Sequence, residues 1–184
     1  MIITIGGLPG AGSTTVAKAV ADKLGYKLVT VGELHKQIAA QEGIPSAELE
    51  KFWAQGAKDP VELKRLHNSL DRMQKDAARK HRNVVFNGKL SAFQIPWAGL
   101  KVFLVAPLEV RAERIAGREG IPKAKAARSI KEREEWERKE WKKIYGFDYV
   151  AERDIYDLVI NTAHWDAGQI AKIIEMVISK GAKK

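Results

Sequence analysis

Apolar positions along this chain follow two rhythms that alternate. Ile2–Ile5 is a short, continuous β-branched run, the pattern of a strand buried on both faces of a parallel sheet. Similar short runs recur at Lys27–Val31, Asn83–Phe86, Lys101–Val105 and Ile155–Asn161. Between them the period becomes helical. Val16, Val20 and Leu24 repeat every fourth position beside Ala17 and Ala21, which predicts a helix over 14–24 that Gly25 ends. Gly32 closes the second strand, and 33–42 reads as a helix. The polar stretch 43–58 holds a short helix after Pro45. Asp59-Pro60-Val61-Glu62 then announces a long helix, with Asp59 as cap, Pro60 in the first turn and Glu62 completing a capping box. Leu66, Leu70, Met73 and Ala77 carry its stripe. A further helix opens at Pro107 and bears Arg111 and Arg114. The last covers 167–179, with Ile170, Ile173, Ile174 and Val177 on one face, and Lys183–Lys184 trail as a frayed end.

Strands alternating with helices specify an α/β fold of three layers, a parallel sheet with right-handed crossovers and helices on both faces. At 184 residues the chain suits one domain. The stretch 117–145 breaks the pattern. It holds ten basic and six acidic residues and few aliphatics, so it is expected to form solvent-exposed helices rather than core. Gly117, Gly120 and Gly146 flank it as the hinges of a cover would. A solvated helical face is the plainer alternative.

Composition narrows the partners. The net charge of +9 favours anions, and nucleotides, RNA and acidic surfaces all qualify. With no cysteine, disulfides and thiolate metal sites are excluded. The apolar run at the N-terminus is too short for a signal peptide or a membrane span, so a cytoplasmic protein without membrane contact is expected.

One loop carries specific chemistry. Gly7-Leu8-Pro9-Gly10-Ala11-Gly12-Ser13-Thr14 follows a strand and opens a helix, matching the phosphate-loop spacing G-x-x-x-x-G-K-[ST] at all positions but one. Glycines let the backbone curl so that successive N–H groups point at a phosphate, and the helix N-terminus adds its dipole. Thr14 offers a hydroxyl to Mg²⁺, and Thr15 lies directly behind it. Ser13 stands where the pattern has lysine, the group that stabilises charge on the transferring phosphates. Lys18 is no substitute, because it lies more than one turn down the helix.

The chain resembles the archaeal type of cytidylate kinase, one of the adenylate-kinase-like nucleoside monophosphate kinases. The resemblance spans nearly the whole chain and rests on Ile3-Thr4-Ile5-Gly6-Gly7-Leu8-Pro9-Gly10, Leu70-Asp71-Arg72-Met73-Gln74 and Asn87-Gly88-Lys89-Leu90-Ser91. It continues through the run from Ala106 to Ile115, Tyr145-Gly146-Phe147-Asp148 and the run from Tyr156 to Thr162. It implies a P-loop fold with strand order 2-3-1-4-5, and a core of about 1–32, 83–117 and 149–184. It also implies a monophosphate-binding arm of about 33–82 and a mobile lid of about 118–148. The implied reaction moves the γ-phosphoryl group of ATP to CMP or dCMP with Mg²⁺, in a monomer. Some archaeal members carry a hydroxyl residue where the loop lysine belongs. The family's usual arginine after the second strand is Lys36 here, and its Glu-Gly-Arg is Asn87-Gly88-Lys89. Both keep charge but lose the bidentate fork. The lid pattern Arg-Glu-x-Ser-(x)₃-Arg-Tyr becomes Arg133-Glu134-Glu135-Trp136-Glu137-Arg138-Lys139-Glu140-Trp141, so Glu140 stands where an arginine is expected, with Arg138 or Lys139 as neighbouring replacements.

On that basis Gly7 to Thr15 are expected to hold the ATP phosphates and Thr14 the Mg²⁺. Lys36, Arg72 and Lys89 are candidates for the acceptor phosphate, and Asp71 and Gln74 for the pyrimidine edge. Arg111, Arg128 and Arg133 are candidates for the transferring group; Arg111, Arg114 and Arg118 also read as plain helix-surface residues. His35, His67, His81 and His164 lack metal-ligand spacing and read as structural or surface groups. A second reading stays open: a catalytically weak kinase-fold protein that sits on RNA or a ribonucleoprotein such as the ribosome, with Trp136 and Trp141 stacking on bases.

Overall fold

A computed structural model describes residues 1–43 and 60–181. The short helix expected after Pro45, the Asp59 cap and the Lys183–Lys184 tail lie outside the described residues. In chain order the elements are β1 (Ile2–Gly7), α1 (Ser13–Leu24), β2 (Lys27–Thr30), α2 (Val31–Glu42), α3 (Pro60–Lys80), β3 (Val84–Asn87) and α4 (Ser91–Gln94). They continue as β4 (Leu100–Val105), α5 (Leu108–Glu119), α6 (Lys123–Tyr145), β5 (Leu158–Asn161) and α7 (Ala167–Gly181).

The five strands form one parallel sheet in the order β2-β3-β1-β4-β5, as the resemblance implied. Pairing sets Ile3 beside Val85 on one side and Leu100 on the other. Side chains that alternate along each strand feed two opposite layers. Ile3, Ile5, Val85, Val102 and Leu104 pack with Val16, Val20, Ile170 and Ile174 of α1 and α7. Val29, Val84 and Phe86 pack with Leu34 and Ile38 of α2 and Leu66 and Leu70 of α3. A third cluster is largely aromatic and joins Phe103 and Tyr156 to Tyr149, Phe93, Phe147 and Trp141.

Several boundaries differ from expectation, each for a local reason. β2 stops at Thr30, because the Thr30 hydroxyl accepts from the Glu33 N–H at 3.1 Å while Glu33 accepts from the Thr30 N–H at 3.2 Å. That capping box starts α2 at Val31 and puts Gly32 inside the first turn. β3 runs one residue further, to Asn87. β5 begins only at Leu158: Asp157 pairs with Lys101 through both its N–H and its carboxylate, and Tyr156 turns into the aromatic cluster.

The charge-dense stretch is the largest correction. It folds as one 23-residue helix rather than several. Gly117 lies inside α5, whereas Gly120 (φ 65°) and Gly146 (φ 82°) end helices in the left-handed conformation. Nor is α6 solvated all round. Ala126 and Ile130 are buried against Ala112 of α5, with Leu108, Ile115 and Ile121 around them. No described helix is long and apolar enough to cross a membrane.

Candidate active site

The first loop leaves β1 at the carboxyl end of the sheet, where ligands of open α/β folds bind. Its curl depends on Gly10 (φ 81°) and Gly12 (φ 89°), conformations that cost other residues about 1 kcal/mol or more. A Cβ on Gly10 would also stand 2.9 Å from the Arg111 carbonyl oxygen. The loop closes on itself through the Ala11 N–H to the Leu8 carbonyl at 2.9 Å, and α1 starts at Ser13. The N–H groups of its first turn have no partner within the helix and are available to an anion. Beside them the Thr14 hydroxyl meets Asn87 Oδ1 at 3.1 Å, and the Asn87 amide donates back to the Ile5 carbonyl at 3.1 Å.

Two cavities flank the loop. The first, about 280 Å³, is reached from Ser13 and bounded by α2, α3, α6 and the segment after β3. Asp71 and Gln74 of α3 line it, one turn apart, together with Lys89, Arg133, Glu137, Trp141 and Tyr145. The second lies on the other side, against Gly10–Gly12 and Thr15, with Arg114, Arg118, Thr162 and Trp165 around it. Thr162 fastens this side: its hydroxyl donates to the Ala11 carbonyl at 2.9 Å, and Arg114 grips its hydroxyl and carbonyl at 2.8 and 2.7 Å.

Glu137 organises the first cavity, although the sequence marked it only as one acid among many. It is 2% exposed, and its carboxylate accepts from Lys89 Nζ at 2.5 and 2.6 Å, from Arg133 Nε at 2.8 Å and from the Tyr149 hydroxyl at 2.9 Å. Burial works to raise its carboxyl, but Lys89 and Arg133 outweigh burial and hold it below the usual range. Burial pushes the Lys89 ammonium down to about 8 against the pull of Glu137, so it stays charged at neutral pH. Two turns along α6, roughly 12 Å away, the Tyr145 hydroxyl donates to Asp71 Oδ2 at 2.9 Å and contacts His67 Nδ1 at 2.9 Å. Burial lifts Asp71 to about 6, with the Tyr145 bond opposing it. His35 and His67, both in the cavity wall, are pushed down to about 4, chiefly by burial, and are neutral near pH 7. The spacing Arg133–Glu137 at i, i+4 was the available signal for an ion pair, but nothing in the sequence points to Lys89 as its third member.

The expected site residues divide. Ser13, Asp71, Gln74, Lys89 and Arg133 come together in the first cavity, and Gly10, Ala11, Gly12 and Thr15 in the second. Lys36 is exposed and outside both; its neighbour His35 faces in instead, because a helical step of 100° separates them. Arg72 likewise points outward, into a shallow groove with Lys64, Arg65 and Asn68, while Asp71 beside it points in. Arg111 lies beneath the loop, 5% exposed. It donates from Nε to the Ala106 carbonyl at 2.9 Å and from Nη1 to the Pro9 carbonyl at 3.1 Å and to Glu134 at 2.6 Å. That posture braces the loop from below. Arg128 is exposed and lines neither cavity. Glu140 pairs with Lys143 at 2.8 Å, and Arg138 and Lys139 line an outer groove, with Arg138 held by Asp148. None of the three enters the first cavity. Trp141 does, packed 4.9 Å from the Tyr149 ring with Lys89 Nζ 5.8 Å from its centroid, so it is not offered to an outside strand. His81 meets Lys27 at 3.0 Å, and His164 is exposed.

The model of the cytidylate kinase-like family matches residues 2–164. The cytidylate kinase of Archaeoglobus fulgidus is 41% identical over 174 residues, covering 95% of this chain and 92% of that protein. That of Methanocaldococcus jannaschii is 40% identical over 182 residues, 97% of each. Among solved structures, an uncharacterized protein from Eubacterium ventriosum superposes with TM-score 0.70 at 17% identity, over 97% of this chain and 98% of its own. Shikimate kinase from Bacteroides thetaiotaomicron does so with TM-score 0.64 at 18% identity, over 97% and 98%. At such identity these two speak for the fold alone. With a family model over most of its length and relatives near 40% identical end to end, the chain belongs to the cytidylate kinase-like family.

Proposed function

We propose that this protein transfers the γ-phosphoryl group of ATP to CMP or dCMP, acting as a monomer. The observation that carries the reading is the pair of cavities on opposite sides of one phosphate loop. Two substrates that meet across such a loop are placed for in-line transfer, and positioning supplies much of the acceleration. The relatives named cytidylate kinase support the pyrimidine acceptor.

The second cavity takes ATP, with its phosphates on the loop and its base between Arg114, Arg118 and Trp165. The first takes CMP, with its phosphate toward Lys89 and Arg133 and its base toward Asp71 and Gln74. The ~12 Å along α6 between the levels of Glu137 and Tyr145 is comparable to the reach from phosphate to base edge in a nucleotide. Mg²⁺ would be held by Thr14 Oγ1 and Asn87 Oδ1 together with the phosphates, where it neutralises charge on the transferring group. The fit rests on those two adjacent hard oxygens. They are neutral, and no His, Cys, Asp or Glu cluster able to hold a metal stands among the described residues, so the ion arrives with the nucleotide.

The acceptor phosphate must compete with Glu137 for Lys89 and Arg133. The helices α2 and α3 belong to a monophosphate-binding arm of about 33–82, and α6 to a lid of about 118–148. A coupled assay of ADP formation tests the reading: CMP and dCMP react fastest, UMP more slowly and AMP more slowly still. Equal rates on all four, or none above background, would overturn it.

A further inference from the structure

Two polar groups that line the first cavity, Gln74 and Asp71, are each held by a hydroxyl. The Ser91 hydroxyl, fully buried, donates to Gln74 Oε1 at 2.8 Å. The Tyr145 hydroxyl donates to Asp71 Oδ2 at 2.9 Å. A glutamine amide has an acceptor end and a donor end, and a partner on one decides which way the other points. Ser91 donates to Oε1, which leaves the NH₂ as the end of Gln74 available to the cavity it lines. With Oδ2 taken, Asp71 presents its other oxygen, an acceptor. Leu70, Leu90, Val31 and Trp141 supply apolar wall around the two.

We infer that Ser91 is a positioning residue for base choice: by fixing the Gln74 amide it sets, with Asp71, a donor beside an acceptor that fits cytosine and rejects uracil. This rests on the proposed CMP site and extends it to how the base is read. Cytosine offers an N4 amino donor next to the N3 acceptor, so N4 meets Asp71 and N3 meets the Gln74 NH₂. Uracil in the same pose sets O4 against the Asp71 carboxylate and N3–H against the Gln74 amide. Sliding uracil along its edge to regain both bonds would pull its phosphate away from Lys89 and Arg133. A site that hydrogen-bonds its ligand in this way discriminates strongly, because the wrong base leaves buried polar groups unpaired. Ser91 touches no substrate; it acts through Gln74.

Two variants test this, with CMP and UMP each measured for turnover (kcat/KM at saturating ATP and Mg²⁺) and for affinity by calorimetry. Ser91→Cys keeps a short unbranched side chain, somewhat larger than serine, but is a poor donor, so the anchor is weakened with limited repacking. The CMP:UMP ratio is expected to fall roughly tenfold, the worth of one buried hydrogen bond, with UMP gaining as CMP loses. A purely structural role would lower both and leave the ratio alone. The double variant Asp71→Asn with Gln74→Glu keeps both hydroxyl anchors and exchanges donor for acceptor, so its preference should invert toward UMP. An unchanged ratio in Ser91→Cys, or no inversion in the double variant, overturns the inference while leaving the kinase reading intact. CMP-selective binding that Ser91→Cys erodes, without turnover of any monophosphate, would support the base reader and sink the kinase instead.

Discussion

Ser13 stands where the phosphate-loop pattern has lysine, and the residues around it offer a test of whether other cations take over that charge. Ser13 lines the same cavity as Lys89 and Arg133, cations that stand on other elements. If those groups carry the load, Arg133→Ala lowers turnover about 100-fold with a smaller effect on ATP affinity, because its charge acts mainly in the transition state. Ser13→Lys changes turnover only modestly. Steady-state kinetics of both variants beside ATP titrations check this, and a large gain from Ser13→Lys would mean the loop charge was never replaced. Glu137 gives a sharper contrast. Glu137→Gln leaves Lys89 and Arg133 as poorly neutralised cations, one of them nearly buried, which destabilises the ligand-free protein by about 3 kcal/mol. The same change removes the acceptor phosphate's competitor, so CMP should bind about tenfold tighter. Urea unfolding and calorimetry on one variant read both effects. Weaker CMP binding would show that Glu137 positions Lys89 for the phosphate rather than competing with it.

Among the elements, α6 holds two kinds of contact in one helix. Its first half buries Ala126 and Ile130, which line neither cavity, against α5 in an apolar attachment. Its second half adds polar ties, Glu134 to Arg111, Glu137 to Lys89 and Tyr145 to Asp71, to the packing of Trp141 in the aromatic cluster. Polar ties across a cavity exchange readily with ligand groups, whereas burial does not. Amide exchange should therefore be slow over 123–131 with or without nucleotide, and should slow over 133–145 only when both nucleotides are bound. Uniform change along the whole helix would contradict this division. The sequence showed the charge of this stretch but not its attachment: Ala126 and Ile130 stand alone among lysines, glutamates and arginines, too sparse for a periodic signal.

For the whole molecule, the groups buried around the first cavity set the response to acid. His35 and His67 protonate at about 4 in the fold against an ordinary 6.5, so their contribution is present above pH 6.5 and is lost as pH falls toward 4. Asp71 works the other way. Raised from 3.8 to about 6, it favours the folded state fully only below 3.8, and that contribution disappears as pH rises through 6. Two histidines outweigh one carboxyl, and Glu137, held low by Lys89 and Arg133, adds a loss below its ordinary 4.5. Net stability should fall on acidification from pH 6.5 to 4, by roughly 10 °C in Tm. A thermal scan across that range checks the sign. Replacing His67 with Asn should shrink the fall, whereas an equal fall would shift its origin to other carboxylates.

Sequence alone determined what repeats locally. The strands came from β-branched runs, the helices from fourfold apolar spacing, and the loop from glycines whose positive φ at Gly10 and Gly12 is a property of the residue itself. A parallel sheet followed from alternation, because parallel neighbours need a crossover and that crossover is right-handed, whereas the strand order came from the family resemblance. Asp71 and Gln74 were legible as a pair, since i and i+3 share a face of any helix. Which neighbour faces the cavity was not. Lys36 against His35, and Arg72 against Asp71, are settled by how α2 and α3 roll onto Phe86 and Val84, and no local pattern reports that angle. Arg111 read as a candidate for the transferring group, yet it reaches Pro9, distant in sequence, beneath the loop. Glu137 meets Lys89 across 48 positions, and Ser91 meets Gln74 across 17. Such pairs exist only once the sheet has brought β3 beside β1 and α6 has crossed above them, because a buried charge or amide takes its partner from whatever the fold sets next to it.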